Sequence, residues 1–322
     1  MSWPRVLKAL RGTRRPEAAP APDPGLAQVA VVWSEMAETR QDAVPRGWLD
    51  STLVLEGYVQ PRLTGDPRTN WLVGIGRRLG LAPPSRWLSL GCGSAGQEVF
   101  ASRMGLVGSM VALDAAPGAL ELARQACARE GVSNIEFGPV DLNAPRLPRG
   151  PFDVVLMNMS LHHVRELEQL LDAVREVLVR GGLLLANEFV GARQFQFPEA
   201  QLAKVRELLA LLPDRLRRDV VTGGLKTEYV THPVEWWNRT DPSEAVRSDE
   251  IVAQVGRRFR IEERLDYGGT FLALVLEHVV HNFRADVPED RAILLLLARL
   301  EEAILASGAF ASDFTVLVAR RL

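Results

Sequence analysis

The chain of 322 residues reads as an α/β protein built on a doubly wound, mostly parallel sheet. Three observations predict this. Between Ser85 and Gly191 short apolar runs alternate with amphipathic helical stretches, the rhythm of parallel βαβ units with right-handed crossovers. The first run passes straight into a glycine turn, "RWLSLGCGSAGQEVF" (Arg86 to Phe100), where Gly91, Gly93 and Gly96 keep G-x-G-x-x-G spacing. An acid, Asp114, closes the second run 23 positions after Gly91 (114 minus 91).

Taken in order, residues 1 to 25 read as a basic tail with a Pro/Ala linker, "RRPEAAPAPDPG". Residues 26 to 80 form a helical N-terminal cover. Within it "LAQVAVVWSEMAET" and "TNWLVGIGRRLGL" have helical apolar spacing, and the Pro- and Gly-rich "EGYVQPRLTGDPRTNW" between them reads as a loop. Residues 81 to 322 hold the main domain. Its strands are predicted at "RWLSL", "MVALD", "IEFGPV", "FDVVLMN" and "GLLLANEFV", and its helices at "GQEVFASRM", "GALELARQACAREG" and "LEQLLDAVREVLVR". Two sets of helical substrate or oligomer elements follow, at about 193–250 and 270–308. They comprise "PEAQLAKVRELLALLP", a turn-rich stretch holding Trp236 and Trp237, "TFLALVLEHVVHNF" and "PEDRAILLLLARLEEAILASG". "RFRIEERLDY" and "DFTVLVAR" read as two late strands.

Bulk properties exclude several classes. A net charge of -2 supplies no global field for nucleic acid or an anionic membrane. Apolar runs such as "AILLLLARL" are too short to span a bilayer, and the N-terminus lacks a signal peptide's apolar stretch. No nucleic-acid partner and no stable membrane insertion are expected. Two cysteines, Cys92 and Cys127, make neither a disulfide framework nor a zinc pattern, which fits a reducing cytoplasm. No His/Asp/Glu cluster shows metal-ligand spacing, so no metal is expected. The apolar helices near the C-terminus are the expected face of a homodimer.

Gly91 and Gly93 let the backbone turn tightly against a ligand, and Gly96 lets the following helix sit close to the strand. Asp114 stands where a ribose hydroxyl would be held; it is equally placed to cap the helix that begins near Pro117. NAD, FAD and S-adenosylmethionine all carry a ribose, so this pair of features does not choose between them.

The later strands choose. The ordered set "LSLGCGSAG", "ALDAAPGALELAR", "VDLNAP", "FDVVLMNMSLHHV" and "LVRGGLLLANEFV" resembles the class I S-adenosylmethionine-dependent methyltransferases over about a third of the chain. The resemblance implies a Rossmann-like seven-stranded sheet whose last strand is inserted antiparallel. It implies S-adenosylmethionine as cofactor, with Gly91, Cys92 and Gly93 around its methionine part, Asp114 and Ala115 at the ribose, Asp141 and Leu142 at the adenine, and Asn158 beside the sulfonium. Many members carry an acid where this chain has Ser89. The flanking segments "GYVQPRLTGDPRTNWL", "SLHHVRELEQLL" and "NEFVGARQFQF" are similar to a bacterial subgroup associated with polysaccharide biosynthesis, which implies that Tyr58, Asn70 and Trp71 cover the cofactor.

Methyl transfer to a hydroxyl benefits from a base, and histidine suits the task. His162 and His163 follow the fourth strand, beside the expected methyl, with His163 favoured. Glu188, ending the fifth strand, is placed to orient a histidine or bind a hydroxyl. Arg62, Tyr267 and Trp237 are expected around the acceptor, a small molecule or glycoside. His281 reads as a satisfied core or interface residue. Asp241, Ser243 and Glu244 in "DPSEAVRSDEIV" read as helix-start chemistry. The rival readings are a non-catalytic scaffold subunit, an NAD-dependent enzyme, and methylation at nitrogen or carbon.

Overall fold

The computed structural model describes residues 44–322. The basic tail and the helix expected in "LAQVAVVWSEMAET" lie outside the described residues. Seven strands form one sheet: β1 (Arg86–Leu90), β2 (Ser109–Asp114), β3 (Ile135–Pro139), β4 (Phe152–Asn158), β5 (Leu178–Phe189), β6 (Arg260–Gly268) and β7 (Phe314–Arg320). Their order is β3-β2-β1-β4-β5-β7-β6. β1 to β5 run parallel, and β7 lies antiparallel between β5 and β6. The expected Rossmann-like, doubly wound sheet is present, including its inserted last strand. The chain winds outward from β1 to β3 and then returns to β4 on the other flank of β1. Strand order reverses there, the point at which open α/β sheets take ligands beyond the C-terminal ends of their strands.

Among the described residues the α-helices of five residues or more are α1 (Gln60–Thr64), α2 (Trp71–Arg78), α3 (Gly96–Arg103), α4 (Pro117–Glu130), α5 (Leu167–Val177), α6 (Glu199–Leu211), α7 (Val234–Thr240), α8 (Ile251–Arg258), α9 (Leu272–Leu276) and α10 (Pro288–Ala306). Side chains alternate along a strand, so β1 sends Trp87 to one face and Leu88 and Leu90 to the other. Trp87, Met110, Ala112, Val154 and Leu156 pack with Ala101 of α3, Leu120 of α4 and Leu72 of α2. Leu88, Leu90, Val155 and Met157 pack with Leu167, Leu171 and Val174 of α5 and Val255 of α8. Burial on both faces is why these strands read as nearly continuous apolar runs. Trp48 and Tyr58 share a core with Trp87, Tyr267 and Phe314, so the N-terminal segment packs onto the sheet.

Three stretches depart from expectation. "EGYVQPRL" is helical: a wide π-turn over Leu55–Val59 runs into α1. Pro61 follows the π-turn directly, inside a helical run unbroken from Thr52, and Gly65 ends that run at φ +79. "TFLALVLEHVVHNF" is not one helix: α9 ends at Leu276, Glu277 leaves the helical conformation (ψ 131), His278 takes φ +61, and Val280–Asn282 form a separate 3-10 turn. There Lys226 Nζ donates to the carbonyls of Leu274 (2.6 Å) and Glu277 (2.7 Å), closing the helix end. "LVR", expected at the end of a helix, belongs to β5 instead. No helix among the described residues is long and apolar enough to cross a membrane.

Candidate active site

β1 ends at Leu90 and the chain reverses through Gly91 (φ +72), Gly93 (φ +52) and Ala95 (φ +60). Gly91 N and Cys92 N both donate to Leu113 O, at 2.8 and 3.1 Å, which ties the turn to β2. A Cβ on Gly91 would collide with that of Ser160 and lie 3.0 Å from Ser160 Oγ, so glycine is needed where the turn after β4 packs. A Cβ on Gly93 would meet nothing within 4 Å, leaving open space where a ligand can approach. The same holds at Gly96, so close helix–strand packing does not account for that glycine.

Asp114 serves the turn directly. Its Oδ2 accepts from Gly93 N at 2.8 Å and its Oδ1 from Ala116 N at 2.8 Å, while α4 itself has no side-chain cap. Burial raises its pKa, against the pull of the N–H groups of Ala116, Gly93 and Ala115. Asp141 lies two residues past β3 and accepts from Asn143 N at 2.8 Å. Leu142 approaches the same turn, 3.7 Å from where a Gly91 Cβ would be. Asn158 Oδ1 accepts from Asn187 Nδ2 (2.9 Å), and Asn187 Oδ1 accepts from the Tyr267 hydroxyl (2.7 Å). Tyr267 is thus a buried prop behind Asn158, stacked 6.0 Å from Trp48, rather than a residue facing open space.

The acid absent at Ser89 stands elsewhere. Ser89 Oγ donates to Glu98 Oε1 at 2.7 Å, and both side chains are buried. Burial pushes the Glu98 carboxyl up to about 7, partly offset by the Ser89 bond. The N-terminal cover residues are engaged in packing. Asn70 caps α2 by accepting from Leu72 N (2.9 Å) and reaches Gln97 at the start of α3 (3.4 Å). Trp71 is in the core. Tyr58 is buried with its hydroxyl 3.4 Å from Glu301. Arg62 donates to Asp266 O (2.8 Å) and pairs with Glu302 (3.5 Å), tying α1 to β6 and α10.

Beyond β4, Met159 takes φ +55 and Leu161–His163 form a single 3-10 turn. Glu188 is fully buried and clasps that turn. Its Oε1 accepts from Ser160 N (2.9 Å) and Leu161 N (2.7 Å), and its Oε2 lies 2.7 Å from His162 Nδ1. The carboxylate is an acceptor on each side, so His162 Nδ1 carries the proton. Burial opposes charge on His162, but Glu188, Glu244 and Asp241 outweigh it and its pKa is raised. His163 is pushed well below the ordinary value, by burial and then by His162, whose ring centroid is 4.2 Å away.

The stretch expected to start a helix supplies further partners. Asp241 Oδ1 accepts from Ser243 N (3.0 Å) and Ser243 Oγ (2.6 Å), but Pro242 to Arg247 form turns, with buried Ala245 at φ +48. This brings Ser243 Oγ 3.3 Å from His163 Nδ1 and Glu244 Oε1 3.6 Å from His162 Nε2. Reading the sequence missed both residues: Glu244 is 81 positions from His163 (244 minus 163), and no local pattern links them. An aromatic run continues outward, from His162 to Phe189 (6.4 Å between centroids), Phe195 (5.1 Å) and Trp237 (5.0 Å). Gln194 and Phe195 hold φ of +46 and +55, a strain of about 1–3 kcal/mol each. Trp237 Nε1 and His281 Nδ1 are each buried without a hydrogen-bond partner.

A glycine turn with open space at Gly93, a buried acid at the end of β2 and a titratable cluster past β4 thus gather where the strand order of the sheet reverses, the class of arrangement found in nucleotide-binding α/β folds. The family model for a methyltransferase domain matches residues 88–182. A demethylmenaquinone methyltransferase from Tropheryma whipplei is 28% identical over 172 residues, 53% of this chain and 68% of that protein. An aklanonic acid methyltransferase from a Streptomyces species is 30% identical over 156 residues, 46% of this chain and 70% of that protein. A solved geranyl diphosphate C-methyltransferase from Streptomyces coelicolor shares the fold, with a TM-score of 0.52 at 11% identity over 94% of this chain and 100% of that one. The chain belongs to the class I S-adenosylmethionine-dependent methyltransferases, and S-adenosylmethionine is its cofactor.

Proposed function

We propose that the enzyme methylates a hydroxyl oxygen of a small molecule, with the proton removed at the cluster of His162, His163 and Glu188. The observation that carries this reading is the buried Glu188 carboxylate, which fixes the whole turn bearing both histidines next to Asn158. S-adenosylmethionine supplies a methyl already activated on a sulfonium. The turn of Gly91 and Gly93, with Asp114, Asp141 and Leu142 around it, is the seat we assign to that cofactor. The chain then has to align an oxygen, take its proton and exclude water. His163, the more exposed of the pair, takes the proton, and His162 held by Glu188 positions it. The run of Phe189, Phe195 and Trp237 favours a planar, apolar acceptor over a sugar, and the unpaired Trp237 Nε1 offers it one donor. Two buried, unpaired cysteines fit a reducing cytoplasm.

A phenolic or enolic acceptor opens a second reading, favoured by the same aromatic run. The deprotonated hydroxyl then passes charge to a neighbouring carbon, and that carbon takes the methyl. The test is S-adenosylhomocysteine release across a panel of phenols, enolisable polyketides and glycosides, with NMR of the product separating O–CH3 from C–CH3. His163→Asn is expected to lower kcat by about 10²–10⁴ while S-adenosylmethionine binding by calorimetry is retained. Unchanged turnover in His163→Asn and Glu188→Gln together would sink the assignment.

A further inference from the structure

The fold assembles a set of groups that no local sequence pattern joins. One ring nitrogen each of His162 and His163 and one carboxylate oxygen of Glu244 lie within 4.8 Å of one another. The remaining nitrogen of each imidazole is already committed. His162 Nδ1 is held by Glu188 Oε2 at 2.7 Å. His163 Nδ1 lies 3.3 Å from Ser243 Oγ. That hydroxyl gives its own proton to Asp241 Oδ1 at 2.6 Å and so accepts from the imidazole. With Nδ1 protonated in both rings, both Nε2 lone pairs face the Glu244 carboxylate, at 3.6 and 4.0 Å from its oxygens. This is the outer shell that ligating histidines have, an acceptor behind each ring that sets its tautomer and orientation.

We propose that His162, His163 and Glu244 form a three-ligand site for a divalent first-row transition ion of the zinc type, with an open position toward the acceptor hydroxyl. Two imidazoles and one carboxylate suit such an ion better than magnesium, which prefers oxygen ligands throughout. Ligand atoms around an ion at about 2.1 Å stand about 3.0–3.4 Å apart. The three ligand atoms lie within 4.8 Å of one another, so the partly exposed Glu244 side chain has to turn one oxygen inward to close on an ion held by both rings. The loop carrying it is docked through Val246 N to His162 O (3.2 Å), so ligand residues from distant parts of the chain are held as one unit. Three protein ligands leave room for a fourth, as in catalytic rather than structural sites. A hydroxyl oxygen bound there loses its proton to water more readily, so the histidines act as ligands and not as the proton acceptor when the ion is present.

The inference rests on the acceptor lying beside this cluster, and its test is read without turnover. Chelator-treated, tag-free full-length protein is titrated with Co2+ while visible absorption is followed, then with Zn2+ in competition and with Mg2+ for comparison. Expected are one Co2+ per chain with new visible bands, displacement by Zn2+, and no displacement by Mg2+. Glu244→Gln and Ser243→Ala should each weaken binding at least about tenfold, with S-adenosylmethionine affinity unchanged as the control for folding. Wild-type protein that takes up no more Co2+ than Glu244→Gln, or that binds Mg2+ as well as Zn2+, overturns the proposal. Full turnover by the chelated enzyme that also binds no Co2+ overturns this site and leaves the histidine base standing. Co2+ uptake without turnover on any acceptor upholds the site and removes the assigned reaction instead.

Discussion

Replacing Glu98 with glutamine should remove a pH dependence that the fold itself creates. The carboxyl is buried beneath the glycine turn and titrates near 7 in the folded chain, against an ordinary value of 4.5. The folded state therefore holds this proton more tightly than the unfolded one. Its contribution to stability is fully present below about pH 4.5 and is lost as pH rises through about 7. The linkage amounts to about 3 kcal/mol across that window. Glutamine keeps the shape and a partner for Ser89 Oγ but cannot ionise. Urea unfolding of wild type and Glu98→Gln at pH 5 and pH 8 isolates the term, because Glu301 and Asp313, buried acids also pushed up to about 7 and about 6, are common to both. The two proteins should differ by no more than about 1 kcal/mol at pH 5, and the variant should gain about 2–3 kcal/mol on wild type by pH 8. A gap that does not change with pH would refute the reasoning.

Gly91→Ala should lower stability by about 2–4 kcal/mol, read as a lower urea midpoint, and Ser160→Gly in the same chain should recover the part due to the collision but not the part due to φ +72. Asp114→Ala frees Gly93 N and Ala116 N from their shared acceptor, so S-adenosylmethionine affinity should fall at least about tenfold by calorimetry; unaltered affinity counts heavily against the site. Glu188→Gln keeps one acceptor for the Ser160 and Leu161 N–H groups but turns a donor toward His162 Nδ1, so kcat should drop more than about tenfold with little change in thermal midpoint.

What the sequence shows and what it hides follow from the range of the forces involved. The strands from β1 to β5 are legible because burial on both faces writes itself locally as apolar runs between turns. Gly91 and Asp114 are legible because a turn and an acid at the ends of adjacent strands have fixed spacing. Leu55–Val59 and α1 are hidden because Gly57 and Pro61 suggest a break that the helical run passes through with a π-turn. Glu244 is hidden for a different reason. Asp–Pro–Ser–Glu looks like the start of a helix, and only the long-range packing that holds Ala245 at φ +48 turns Ser243 and Glu244 onto the histidines. That Glu188 ends a strand is legible, but its clasp on three residues of the neighbouring turn depends on the register of β4 against β5.

Ser89, in β1 two residues before Gly91, stands where many family members carry an acid, and its partner explains why serine is accommodated there. Glu98 Oε1 stands 2.7 Å from Ser89 Oγ, so an acid at position 89 would set two carboxylates against each other away from water. Two such groups cannot both ionise, and one must stay protonated well above its ordinary range. Ser89→Asp should therefore be destabilising at pH 8 by several times what it costs at pH 5, where a shared proton bridges the pair. Adding Glu98→Gln supplies an N–H donor to the new aspartate and removes the competing charge. The double variant should then be more stable at pH 8 than Ser89→Asp alone, with a coupling of about 1–3 kcal/mol in the double-mutant cycle. Additive effects at pH 8 would mean that the two positions are not in contact, and that a different constraint keeps the acid out of position 89.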